Sequence, residues 1–260
     1  DGKWHRLEFN SITTPSNTES DSLSFYFTTI PAGQRCWLCA PQMEEGTFAT
    51  PFVNGTRSNT QALLDMSKSK NTVTSNSLTY NSDGTFSFNG SSDYISSSLS
   101  NSAGDNTHSI DFWMKLNTNQ SSISSRVDPF TIGSAANSSY SAMDINNGNI
   151  NWYFYNNDTR ISSNLFVANT WYNIQLTYTG GGANTTNKKI YINGQLQNWT
   201  GTSGTYYGDP LNWPANAPVS IGRDGGRTTA YFPGSISNFK IYNRALTAAE
   251  IRQNFHATRA

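Results

Sequence analysis

Carboxylates are the side chains in this sequence with the widest chemical reach. Hydrolysis of a glycosidic bond with retention needs two carboxyl groups about 5 Å apart, and on a strand that means acidic residues at alternate positions. Glu occurs only at positions 8, 19, 44, 45 and 250. The last four fall in a loop, in the turn Gln42-Met43-Glu44-Glu45-Gly46, or at a helix start. Asp111 and Asp144 stand singly on strands, and His5, His108 and His256 are widely dispersed. No Gly-x-Ser-x-Gly turn presents a nucleophilic serine. The pattern speaks against an enzyme.

Both cysteines lie in Cys36-Trp37-Leu38-Cys39. Two thiols do not complete a four-ligand zinc site, and residues three apart on a strand face opposite sides, too far apart to bridge. A redox pair would open a helix, whereas Ala40-Pro41-Gln42 follows here. Two readings stay open: structural or free thiols, or a disulfide to another chain.

Binding chemistry is better represented. A pyranose is gripped by aromatic faces against its C–H surface and by planar amides or carboxylates on its hydroxyls. The Gly- and Pro-punctuated stretch from Trp199 to Pro214 holds Trp199, Tyr206, Tyr207, Asp209 and Trp213 outside any strand alternation that would bury them. Loops of this length are usually functional. A second group, Tyr155, Asn157, Asp158 and Arg160, follows the strand containing Trp152 and Tyr153. These rings would also serve to cover the sandwich end or pack on a neighbouring domain. Trp4, Trp113 and Trp171 sit in alternating strands and read as core.

The elements that position these groups have period two rather than 3.6. Ile110, Phe112, Met114 and Leu116 share one face of a strand, and the segment Trp171 to Tyr178 alternates likewise. Asn193-Gly194 and Asn147-Gly148 each join two such runs as two-residue hairpin turns. Late strands are Val219-Ser220-Ile221 and Ser235 to Tyr242. Near the end, Thr247-Ala248-Ala249-Glu250 is a capping box, with Ile251 and Phe255 on one face of the short helix that follows. The fold class is therefore all-β: an antiparallel sandwich with one C-terminal helix.

Composition narrows the function further. The 260 residues carry 17 Lys+Arg against 17 Asp+Glu, with only 13% charged. Such a chain has no basic footprint for nucleic acid or anionic membrane, and no apolar run approaches the ~20 residues that span a bilayer. Seven Trp, 13 Tyr and 14 Phe argue against disorder. A polar, turn-like stretch, Gly55 to Thr60, divides a segment 1–60 from a domain 61–260. So short an N-terminal segment buries only a modest core alone.

From Leu63 onward the chain resembles the bacterial and phage branch of the laminin G-like, concanavalin A-like jelly rolls. The resemblance rests on Leu64-Asp65-Met66-Ser67, Phe88 to Ile95, Ser109 to Met114, Trp171 to Ile174, Ile190 to Gly194 and Gly234 to Ile251. Residues 1–60 resemble the end of a phage-type carbohydrate-binding jelly roll, through Pro41 to Gly46, Phe48 to Val53 and Gly55-Thr56-Arg57. The resemblance implies calcium at the turn of Asn89, Gly90 and Asp93, with Asn238 offering a carbonyl where the family commonly has Asp. Hydrolytic relatives carry a Glu-x-Asp-x-x-Glu strand, which has no counterpart here. The function implied is a non-enzymatic adhesion module on a virion or cell surface. Its partners would be an extracellular glycan and further subunits, most simply copies of itself. The alternatives are a structural virion or filament subunit, and an accessory module of a polysaccharide-degrading enzyme.

Overall fold

A computed structural model describes residues 63, 65–81, 85–156, 158–204 and 208–258. The segment 1–60, with its cysteines and Trp4, lies outside the described residues. In chain order the strands are β1 (Thr74–Asn76), β2 (Thr79–Tyr80), β3 (Phe86–Asn89), β4 (Tyr94–Ser100), β5 (His108–Leu116), β6 (Val127–Gly133), β7 (Tyr140–Asn146) and β8 (Asn149–Tyr153). They continue with β9 (Asp158–Ile161), β10 (Trp171–Tyr178), β11 (Lys188–Ile192), β12 (Gln195–Gln197), β13 (Gly201–Ser203), β14 (Asn216–Ile221) and β15 (Pro233–Tyr242), followed by helix α1 (Ala248–Thr258).

The strands form two antiparallel sheets, one of eight strands ordered β1-β4-β14-β6-β7-β8-β9-β13 and one of seven ordered β12-β11-β10-β5-β15-β3-β2. The sandwich follows from alternation. Ile110, Phe112, Met114 and Leu116 turn inward and are sealed from solvent, meeting Phe130, Ile132, Met143 and Ile145 from the other sheet. Phe112 and Phe130 touch edge to face at 5.6 Å between ring centroids, one of the aromatic contacts that bind the sheets together. Both Asn-Gly turns carry positive φ at their two residues, 51° and 74° at Asn193-Gly194 and 47° and 72° at Asn147-Gly148, the mirror-image turn that matches strand twist.

Trp113 and Trp171 depart from the reading as core. With Phe112 and Met114 facing in, the same alternation sends Trp113 to the outer face of the seven-stranded sheet. There α1 covers it: Phe255 stacks on the indole at 5.8 Å, and Nε1 donates to Thr258 Oγ1 at 2.9 Å. Trp171 lies on the same face with Lys115 Nζ 5.0 Å from its ring. Beneath the helix are a buried Ile251 and a polar layer in which Asn173 Nδ2 donates to Asp111 Oδ1 at 2.9 Å.

The capping box forms as the sequence implies. Glu250 N donates to Thr247 Oγ1 at 3.3 Å, and Thr247 N donates to Glu250 Oε2 at 2.9 Å. A bidentate pair with Arg244, together with these bonds, holds the Glu250 carboxyl down at about 2. Thr247→Ala is expected to lower stability by about 1 kcal/mol, as for other lost N-caps; an unchanged urea midpoint would show that the sheet alone holds the helix.

Candidate functional site

α1 packs on the seven-stranded sheet; on the outer face of the eight-stranded sheet Thr131, Ala142, Asp144, Tyr153 and Ser220 are buried, while Ser96, Asn151, Asp158 and Arg160 are half-buried. The register of this sheet sets one row of side chains across the strands: Ser96, Ser220, Thr131, Ala142, Tyr153 and Asp158. The next row toward the hairpin end is Asp144, Asn151 and Arg160. Each is flanked along its strand by core residues such as Ile95, Ile221, Phe130, Met143 and Trp152, so the alternation that fills the interior also makes this face polar.

A loop, residues 222–230, lies across the face. Gly225 N donates to Thr131 Oγ1 at 3.0 Å, and a Cβ at Gly225 would sit 2.5 Å from that of Ser220, so only glycine lets the loop approach this closely. The loop is held by Asp224, which is fully buried. Asp224 accepts hydrogen bonds from Tyr140 OH, from the N–H groups of Gly226 and Arg227, and from Arg126 Nη2 at 2.8 Å. Arg126 Nε also donates to Asp128 Oδ1 at 2.8 Å and lies 3.3 Å from Asp144 Oδ2. Tyr153 OH donates to Asp128, and Asn151 to Asp144.

Three carboxylates therefore converge on one guanidinium, which corrects the reading of Asp144 as solitary. Burial drives Asp128 well above the usual carboxylate range against the opposing pull of Arg126. Burial likewise raises Asp144 to about 6, while Asn151 and Arg126 pull the other way. On Arg126 the loss of solvent is outweighed by Asp128, Asp144 and Asp224, and its pKa rises.

Beside the loop runs a groove of about 350 Å³, lined among others by Ser96, Thr131, Ser134, Pro218, Ser220 and Arg223. At its lip the Arg223 guanidinium lies 3.3 Å from the centre of the Tyr94 ring. On the other side of the loop Arg227 lies 5.0 Å over Tyr155. A second cleft of about 450 Å³ opens at the sandwich end, walled by Ser121, Asn147, Asn149, Ser163 and Asn164. Its loops are tied by buried Gln120, whose amide makes four hydrogen bonds, to Gly148 O, Ser163 O, Leu165 N and Phe166 N.

The expected ligand residues divide between these places. Tyr155, Asp158 and Arg160 are half-buried, Asp158 and Arg160 on β9 and Tyr155 just beyond β8. Trp213 is a correction: it is 3% exposed and belongs to the core, 4.6 Å from the ring of His108, because its backbone bridges Gly104 and folds the loop back under the sandwich. Trp199 is also turned inward, packing on the core with Nε1 donating to Lys188 O at 2.7 Å. Asp209 is exposed, while Asn157, Tyr206 and Tyr207 lie outside the described residues. Tyr94 and Arg223 escaped the sequence reading, although Gly222-Arg223-Asp224-Gly225-Gly226-Arg227 is a visible glycine-rich basic turn.

Of the calcium residues, Asn89, Gly90 and Asp93 share one turn and Asn238 lies apart from it. Pro233, not Asn238, pairs with Asn89, and five further residues of strand put Asn238 about 16 Å along β15. Within the turn, Asn89 Oδ1 accepts from the N–H groups of Ser91, Ser92 and Asp93, while Asp93 accepts from Asn89 N and Ser92 Oγ. Among the described residues no group of three or more His, Cys, Asp or Glu is placed to hold a metal.

Residues 89–252 match a laminin G family model described as concanavalin A-like lectin/glucanases superfamily. Among curated proteins none matches the sequence. Among solved structures, the receptor-binding domain of botulinum neurotoxin D is similar at 20% identity and a TM-score of 0.57, over 75% of this chain and 49% of that one. The serotype D ligand-binding domain in complex with N-acetylneuraminic acid is 18% identical, with a TM-score of 0.57 over 75% of this chain and 48% of that one. The serotype G binding domain is 18% identical, with a TM-score of 0.55 over the same shares. The chain spans about half the length of these structures, and at such identity the likeness is one of fold.

Proposed function

The chain belongs to the concanavalin A-like lectin/glucanases superfamily, and from that premise we propose that it is a non-enzymatic glycan-binding module acting in adhesion. The observation that carries this reading is the outer face of the eight-stranded sheet: a hydroxyl-lined groove with Arg223 on Tyr94 at its lip, a second pair, Arg227 on Tyr155, across the loop, and Asp158 and Arg160 on β9. Tyrosine rings offer an apolar surface to a sugar, and guanidinium and carboxylate edges suit its hydroxyls. The carboxylates that could serve as acid and base, Asp128, Asp144 and Asp224, are instead buried on Arg126, and none lines the groove. A general acid must reach the leaving-group oxygen. The setting we infer is the exterior of a phage particle or bacterial cell, where several copies raise weak single-site binding through effective concentration.

The test is a glycan array probed with the chain in multivalent form, followed by the double variant Tyr155→Ala/Arg160→Ala. Binding is expected for the parent, with a loss of about tenfold in the variant, the effect of removing an aromatic and an arginine contact. Turnover of a bound polysaccharide that vanishes in Asp144→Asn would overturn the non-enzymatic reading.

A further inference from the structure

We infer that the groove beside residues 222–230 selects glycans carrying a carboxylate, and that Arg223 makes the selection; this rests on the glycan-binding reading and names its ligand class. The argument begins with how the arginines of this protein are used. Arg126, Arg227 and Arg244 each stand within 4 Å of a carboxylate. Arg223, like Arg160 and Arg252, has no such partner among the described residues; what sets it apart is its place at the groove, where the guanidinium meets Ser220 Oγ, 3.4 Å from Nε, and the Tyr94 ring.

That arrangement is costly to build without purpose, because a long side chain loses rotamer freedom when it is held. Stacking on Tyr94 fixes the guanidinium plane and leaves its N–H edges free to meet a carboxylate with two parallel hydrogen bonds. Tyr94 is oriented by the same alternation that buries Ile95, and Arg223 follows directly on Gly222 at the end of β14. The cation therefore sits at the root of the loop, one residue beyond Gly222, against a ring held by a paired strand.

The surroundings fit the remainder of an acidic sugar. Ser96 and Ser220 offer hydroxyls on adjacent strands, and Pro218 gives an apolar patch. The groove, about 350 Å³, falls within the range of small-ligand pockets, roughly 300–1,000 Å³. The surface also avoids repelling an anion. Asp128, Asp144 and Asp224 are buried around Arg126, and Asp158 lies four strands from β14, about 19 Å across the sheet.

Titration calorimetry with the full chain tests this with two matched probe pairs: 3′-sialyllactose against lactose, and a glucuronate-containing disaccharide against its glucose counterpart. One pair reports on a nonulosonic acid and the other on a uronic acid, and tighter binding in either supports the inference. The acidic member is expected to bind about tenfold more tightly, the scale of one charge-assisted bidentate contact. Arg223→Gln is expected to abolish that preference, so that the acidic and neutral members of each pair bind alike, with the melting temperature unchanged, and Arg252→Gln, on α1, to alter nothing. Equal binding of acidic and neutral members, insensitive to Arg223→Gln, would overturn the inference and leave the glycan-binding reading standing. Absence of binding to these probes and to a broad glycan array would overturn both.

Discussion

Arg126→Ala is expected to destabilise the protein by about 3–5 kcal/mol at neutral pH, the range found when one partner of a buried ion group is removed. The cause is what remains, more than what is lost. Asp128 and Asp224 are sealed from solvent and Asp144 nearly so. Without the guanidinium, three negative charges share a space that water does not enter. The carboxylates would respond by taking up protons. Burial already raises Asp128 and Asp144 above their unfolded values, and loss of Arg126 raises them further. Groups with raised folded pKa values bind more protons in the native state, so lowering the pH favours folding relative to neutrality. The deficit of the variant should therefore shrink as pH falls from 7 toward the unfolded carboxylate range near 4. Urea unfolding followed by tryptophan fluorescence measures both effects, and a deficit below about 1 kcal/mol at pH 7 would place Arg126 with ordinary surface pairs. Arg126→Lys should fall between, since an ammonium retains the charge but not the fork that meets Asp128 and Asp224 together.

Lys188→Met should remove a pH dependence that the parent carries, because a buried lysine of lowered pKa ties folding to proton release. Lys188 begins β11 facing the interior and reaches across the sandwich to donate from Nζ to Trp152 O at 2.6 Å, with the Phe154 ring 4.4 Å away. Burial lowers its pKa from the ordinary 10.5 to about 7, against the favourable field of Asp158. Between those values the unfolded chain binds a proton that the folded chain lacks, so native stability rises as pH climbs from 7 toward 10.5. In the Met variant that slope should disappear. The Trp152 carbonyl keeps a donor in Thr159 Oγ1 at 2.9 Å, so the substitution does not orphan it. A variant retaining the alkaline slope would mean that Lys188 does not set it.

The strands and their hairpins were legible in the sequence because the information is local. Asn193-Gly194 demands its turn wherever it occurs, and Ile110, Phe112, Met114 and Leu116 declare a face by spacing alone. The capping box of α1 was readable for the same reason. The candidate site was legible only in part. Tyr155, Asp158 and Arg160 lie close together in the chain and could be grouped, whereas Tyr94 and Arg223 meet only because β4 pairs with β14. Arg126 and Asp224 are 98 residues apart and look unremarkable until β6 and the loop after β14 bring them together. Trp213 misled for a related reason: polarity and glycine content mark a loop, but not whether its backbone turns back beneath the sheet, as the bridge to Gly104 makes it do. Trp113 was a different matter, since the alternation that buries Phe112 had already assigned it to the opposite side.

The helix packed over the seven-stranded sheet has a consequence for how copies can be displayed. By packing on Trp113 and burying Tyr191 and Leu246, it covers the flat aromatic patch on which two sandwiches could stack back to back. Among the described residues the two sheets therefore present unlike exteriors: one carries the helix, with Arg252 and Gln253 turned to solvent, and the other carries the groove.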